Sequence, residues 1–82
     1  MKKIRFGPGV RDEVRAIDQG NALRILQTIH RYAETGQGDI KPLSGEFESL
    51  MRLRAGNYRV PFDETEDTIT VHRIRDRRDA YR

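Results

Sequence analysis

Leu50-Met51-Arg52-Leu53-Arg54-Ala55-Gly56-Asn57-Tyr58-Arg59-Val60-Pro61-Phe62-Asp63 is the stretch whose reading decides the fold. Apolar side chains recur there at every second position: Met51, Leu53 and Ala55, then Tyr58, Val60 and Phe62. Successive side chains of a strand point to opposite faces, so the alternation predicts two strands, Leu50–Ala55 and Tyr58–Asp63, each with one core-facing side. Gly56-Asn57 between them has the composition of a tight hairpin turn. The same parity aims Arg52, Arg54 and Arg59 away from the core. Pro61 has no N–H, so either that point needs no ladder bond or the strand is bulged there.

Downstream, the acidic turn Glu64–Asp67 leads into a last predicted strand, Thr68–Arg75. Ile69 and Val71 face the core, which puts Thr70 and His72 beside the arginines. Arg73 then shares the parity of Val71 while Ile74 does not, and a bulge near that point reconciles them. Upstream, Lys2–Phe6 alternates, with Ile4 and Phe6 on one side, and Gly7-Pro8-Gly9 breaks the strand. Val10, Val14 and Ile17 fall at helical spacing. After the interruption Asp18–Asn21, a second face of Ala22, Ile25, Leu26, Ile29 and Ala33 runs until Gly36 and Gly38. Gln37–Gly45 reads as a crossing loop. The order βααβββ predicts an α+β fold, with a two-helix hairpin packed on one face of a small, mostly antiparallel, four-stranded sheet. Residues 1–82 are expected to form one domain.

Composition narrows the chemistry. The chain has 82 residues, 35% of them charged, with 16 basic side chains against 13 acidic ones. It contains no cysteine, which excludes disulfides, thiolate nucleophiles and cysteine-ligated zinc. No apolar run approaches the ~18 residues of a membrane span, and no signal-like leader precedes the first strand, so a soluble, cytoplasmic domain without membrane contact is expected. No ligand spacing supports a metal, and no cofactor is expected. Every basic residue after Leu50 except His72 is an arginine, including the terminal Arg77, Arg78 and Arg82. Arginine presents a planar fork of donors suited to phosphate. With the helices covering one sheet face, an open face carrying Arg52, Arg54, Arg59 and His72 reads as a footprint for a phosphate backbone.

Three segments together carry a family resemblance: Lys41-Pro42-Leu43-Ser44-Gly45, Arg52-Leu53-Arg54-Ala55-Gly56-Asn57-Tyr58-Arg59-Val60, and Val71-His72-Arg73-Ile74-Arg75-Asp76-Arg77-Arg78-Asp79-Ala80-Tyr81-Arg82. They resemble the RelE/ParE superfamily, the toxin halves of type II toxin–antitoxin pairs. The resemblance covers the chain in length and element order, and its C-terminal third in sequence pattern. It implies a RelE-like toxin domain over residues 1–82. By that resemblance, the activity is ribosome-dependent cleavage of mRNA in the A site, by attack of a ribose 2′-hydroxyl on the adjacent phosphate. The implied partners are a cognate antitoxin, RelB-like or other, the ribosome and its mRNA, and operator DNA indirectly through the antitoxin. Matched position by position, the implied catalytic residues are Arg52 and Arg59 on the strands, Arg77 after the last strand, and Tyr81. Arg54, Arg75, Arg78, His72 and Arg82 are the accompanying RNA-binding residues.

The chemistry suits this set in part. Clustered guanidiniums can neutralise the pentacoordinate phosphorane through charge-assisted bonds. Proton removal has no such plain candidate. Tyr81 in a strongly positive field could act as base or shuttle, or simply pack against the sheet. His72 stands as a contact or cross-strand surface residue before it stands as a general acid. Glu46 and Glu48 are lesser candidates for a base, His30 is read as structural or solvent-facing, and Tyr58 and Phe62 as core aromatics. Many relatives carry Gly-His before the arginine pair, whereas this chain has Arg75-Asp76, so a histidine acid or base there is missing. Two other functions share the fold: a ParE-like poison of DNA gyrase that cuts no RNA, and a non-toxic binding module.

Overall fold

The computed structural model describes residues 1–43 and 50–76. Glu46 and Glu48, and with them Arg77, Arg78, Tyr81 and Arg82, lie outside the described residues. The elements run β1 (Lys3–Phe6), α1 (Val10–Arg15), α2 (Gln19–Thr35), β2 (Ile40–Pro42), β3 (Met51–Ala55), β4 (Tyr58–Glu64), β5 (Thr68–Val71) and β6 (Arg75–Asp76). The fold is α+β, with two helices and a mostly antiparallel sheet in the order β1-β5-β4-β3-β2, β6 pairing with β4 beyond β5. The N-terminal strand lies parallel to β5 and pairs Ile4 with Ile69 and Phe6 with Val71. All other pairs are antiparallel.

Each element has a local cause. Asp18 caps α2, its carboxylate accepting from the Asn21 N–H at 3.1 Å, which satisfies one of the orphan donors of the first turn. Gly36 ends the helix at φ 76°, its N–H donating to the Tyr32 carbonyl, a conformation a Cβ would strain. Between these stops Ile25, Ile29 and Ala33 form the stripe that α2 buries. The β3–β4 hairpin closes through Gly56 at φ 61°, and among the described residues no non-glycine has positive φ, as a type II′ turn with glycine at its first central position requires.

The helices and the core-facing parity of the strands enclose Val10, Ile25, Ile29, Ala33, Leu53, Ala55, Val60, Phe62, Ile69, Val71 and Ile74. Among the described residues no polar or charged residue is buried. Phe62 is 1% exposed and meets the Tyr32 ring edge-on, with centroids 5.3 Å apart. Among the described residues no helix is long and apolar enough to cross a membrane.

Two elements depart from the sequence expectation. The stretch read as a crossing loop contains β2, whose Ile40, Lys41 and Pro42 pair with Leu53, Arg52 and Met51. A three-residue strand with one apolar side chain shows no period, and its proline is tolerated because β2 is an edge. The last strand is also interrupted. Phe62 faces Val71 while Arg59 faces Arg75, three steps along β4 against four along its partner. The additional residue makes a β-bulge, in which the His72 N–H donates to the Pro61 carbonyl at 2.9 Å. A strand residue's N–H and C=O point to the same side, so the donor that Pro61 lacks would have faced this bulge. The bulge shifts the parity and buries Ile74 at 6% exposure. The Ile74 N–H then reaches Oε2 of Glu13 on α1 at 3.4 Å.

At the other end of β4, Glu64 ties three parts of the chain together. Its Oε1 accepts from the Tyr32 hydroxyl at 2.5 Å, and its Oε2 accepts from Lys2 Nζ at 2.7 Å. Burial pushes the Glu64 carboxyl up, but the bonds from Lys2 and Tyr32 outweigh it and hold the group below its ordinary value. Burial, then the bond to Glu64, pushes the Tyr32 hydroxyl up from 10.0 to about 12. The two groups contribute stability in opposite directions of pH. The Glu64 share is present above its unfolded value of 4.5 and is lost as the pH falls through its lower folded value. The Tyr32 share is full below pH 10.0 and is lost as the pH rises towards about 12. Thermal melts should therefore show both flanks. Tyr32→Phe should remove the alkaline one and lower the midpoint near neutrality by about 4–8 °C, the equivalent of about 1 kcal/mol in a domain of this size.

Candidate nucleic-acid interface

Single-sided burial leaves the opposite sheet face bare, and register aligns its basic residues in rows. Arg54 on β3 stands opposite Arg59 on β4, which stands opposite Arg75 on β6. The next row runs from Lys41 through Arg52 to Pro61 and on to the bulge. The third joins Asp63, Thr70 and Arg5. Like charges placed directly across a ladder destabilise a sheet by roughly 0.2–1 kcal/mol per pair. A three-arginine row in a small domain is therefore a cost the fold carries at this face.

The rows border a groove of about 430 Å³ lined by Leu43, Leu50, Arg52, Arg59, Pro61, His72, Arg73 and Arg75. The bulge matters here, because it turns two consecutive side chains, His72 and Arg73, onto the same groove. Arg52 is half-buried in the wall, and its Nε has no hydrogen-bond partner. A buried charged donor left unpaired is costly unless an anion completes it. Arg54 leans back instead, its Nε donating to the Gly56 carbonyl at 3.3 Å. The His72 imidazole is hydrogen-bonded through Nε2 to Oδ2 of Asp63.

Of the residues expected from sequence, Arg52, Arg59, Arg75 and His72 are brought together in the groove, and Arg54 borders it. Arg77, Arg78, Tyr81 and Arg82 fall outside the described residues. Sequence reasoning missed Arg73, whose parity only the bulge reveals, and Lys41, which lay in the presumed loop. It also left Lys3 and Arg5 unassigned, although Ile4 and Phe6 already placed them on the outer side of β1. His30 sits elsewhere, on α2, 3.3 Å from Glu34. Among the described residues no histidine and carboxylate group is arranged to hold a metal ion. The arrangement can bind a chain of phosphates and neutralise charge building up on one of them.

The architecture is similar in fold to solved RelE and YoeB/ParE toxins. A chain of the RelB–RelE antitoxin–toxin complex from Methanococcus jannaschii matches with a TM-score of 0.74 over 94% of both chains, at 23% identity. A YafQ mutant from E. coli matches over 100% of both chains with a TM-score of 0.76 at 8% identity. The YoeB/ParE toxin from Agrobacterium tumefaciens covers 90% of this chain and 97% of its own, with a TM-score of 0.72 and 18% identity. At these identities the likeness is one of fold. By sequence, the chain matches no protein-family profile and no curated protein.

The arginine row has two measurable consequences. Arg75→Thr should raise the melting midpoint at low salt by about 2–4 °C, a gain that fades as salt screens the row. The same change should weaken binding of a short single-stranded RNA and flatten its logarithmic salt dependence by about 0.7, the value of one phosphate contact.

Proposed function

We propose that this protein is the toxin of a type II toxin–antitoxin pair and acts as a ribosome-dependent mRNA endonuclease. One observation carries the reading: a groove on the uncovered sheet face joins Arg52, with its unpaired buried Nε, to Arg59 and Arg75. In this reading the guanidiniums of Arg52 and Arg59 hold the scissile phosphate and stabilise the negative charge that grows as the 2′-oxygen attacks. Arg54, Arg75, His72 and the terminal Arg78 and Arg82 contact the flanking backbone. Arg77 and Tyr81 complete the catalytic set. No metal is assigned a role. Such a site is rich in charge stabilisation and poor in positioning elements, which suits dependence on the ribosome to orient the message.

The antitoxin is the partner this reading requires, and the fold is shared with a chain of a RelB–RelE antitoxin–toxin complex. Leu23 and Leu26 are 55% and 38% exposed, and Leu26 borders an apolar groove with Ile4, Phe6 and Ile29. An antitoxin segment that folds on binding can cover this surface with apolar side chains and the basic face with acidic ones. The site would lie in the cytoplasm, where ribosomes are.

Primer extension on a defined mRNA, with purified protein and with or without programmed ribosomes, tests the activity. Cuts at A-site codons are expected only with ribosomes, and Arg59→Ala should reduce them by about 10²–10³ while melting as cooperatively as the parent. The same protein carried through a gyrase supercoiling assay tests the ParE-like alternative. An intact message beside inhibited gyrase would transfer the protein to that class. Saturating antitoxin should raise the melting midpoint by mass action, and equal midpoints would count against the pairing.

A further inference from the structure

The proposed cleavage needs a group that takes the 2′-hydroxyl proton, and the arginines cannot, because a guanidinium stays protonated in proteins. Among the described residues, the groove wall holds one side chain that can. His72 lines the groove with Arg52, Arg59 and Arg73, and its Nε2 is hydrogen-bonded to Asp63 Oδ2. The two side chains are 40% and 42% exposed, open enough to meet a substrate. A carboxylate that accepts from one imidazole nitrogen fixes the tautomer and leaves a lone pair on the other, here Nδ1.

Two features set this pair apart from ordinary surface ion pairing. Alternation brings His72 to the outer face at the start of the bulge, where its N–H bonds the carbonyl of Pro61, a residue that cannot complete a regular ladder on that side. Bulges recur next to active sites because they re-aim a side chain. Asp63 lies two residues from Pro61 on the same face, an acid on a surface whose other charged groups, among the described residues, are Lys3, Arg5, Lys41, Arg52, Arg54, Arg59, Arg73 and Arg75, with Asp39 at the far edge opposite Arg54. A carboxylate there lowers the positive charge available to RNA, so its placement against the imidazole serves something other than backbone affinity.

Resting on the reading of the groove as an RNA-cleaving site, we propose that His72 is the general base and Asp63 its positioning residue. His72 Nδ1 takes the proton of the 2′-hydroxyl as the 2′-oxygen forms a bond to phosphorus. The bond from phosphorus to the 5′-oxygen breaks, and its electron pair stays on the 5′-oxygen, which takes a proton from water. The imidazolium returns its proton to solvent. The products are a 2′,3′-cyclic phosphate and a free 5′-hydroxyl, with no net consumption of water.

Single-turnover cleavage of ribosome-bound mRNA, with binding of a short RNA measured in parallel, tests this. His72→Ala should slow cleavage by about 10²-fold or more, far beyond any loss of RNA affinity, and added imidazole should restore the rate at least tenfold, on the order expected for a general base. Imidazole should not rescue Arg59→Ala. Asp63→Asn should slow cleavage about tenfold, Asp63→Glu should recover most of it, and His30→Ala should match the parent. His72→Gln, close in volume, guards against a folding defect in the alanine variant. A parental rate in both His72 variants, or a slow rate that imidazole leaves untouched while RNA affinity falls, would overturn the assignment and leave His72 a contact residue. A parent that makes no cut would remove the endonuclease reading itself.

Discussion

One helical layer covers one face of the sheet, and the strands must alternate. Together these two constraints sort the chain. Leu53, Ala55, Val60, Phe62, Ile69 and Val71 go to the covered face, so the side chains between them have to go to the other. The concentration of arginine on that surface is therefore no separate device added to the fold. It uses the half of each strand that packing against α2 leaves free. The core is small, and none of its buried residues is polar among those described, so its stability rests on apolar contact around Phe62, Ile25 and Ile29.

Against that small core stands a surface of aligned like charges. Arg54, Arg59 and Arg75 repel across the ladder, and the Nε of Arg52 is desolvated without a partner. A domain of about 80 residues has on the order of 4–12 kcal/mol in hand, so repulsions of even a few tenths of a kcal/mol per pair are felt. An anion placed in the groove answers both terms at once. The site is thus arranged to gain more from a phosphate backbone than a scattered set of surface arginines would. Conversely, the clamp of Lys2 and Tyr32 on Glu64 lies at the far end of β4, where it can hold the N-terminus to the sheet without drawing acid into the groove.

Much of this was legible in the residues themselves. The period-two runs around Gly56-Asn57 specify the central hairpin, and the stripe through Ile25, Ile29 and Ala33 specifies α2. Parity alone placed Arg52, Arg54, Arg59 and His72 on one face. The parallel pairing of β1 with β5 was not legible, because nothing local in Lys3–Phe6 selects its partner. Nor was β2, whose three residues are held by pairing with β3 rather than by any pattern of their own. The mismatch between Arg73 and Ile74 did signal a bulge. What it did not give was the consequence, that Arg73 joins His72 in the groove. The Asp63–His72 contact escaped as well, since it joins residues nine apart through the β4–β5 register, which no local pattern selects.

That bulge also dictates which changes in chain length the fold can absorb. Strand faces are a matter of odd and even, and Pro61 marks the place where the count is reset. Loss of one residue between Val71 and Arg75 would leave three steps against three, a regular ladder that keeps Ile74 inward but calls on the N–H that Pro61 lacks. Loss of two would swap the two sets beyond it, exposing Ile74 and driving a guanidinium towards the core. The stretch of sequence between β2 and β3 sits outside that arithmetic. Variation in length among proteins of this design should accumulate there, while the five residues that cross the reset point keep their number even where their identities drift.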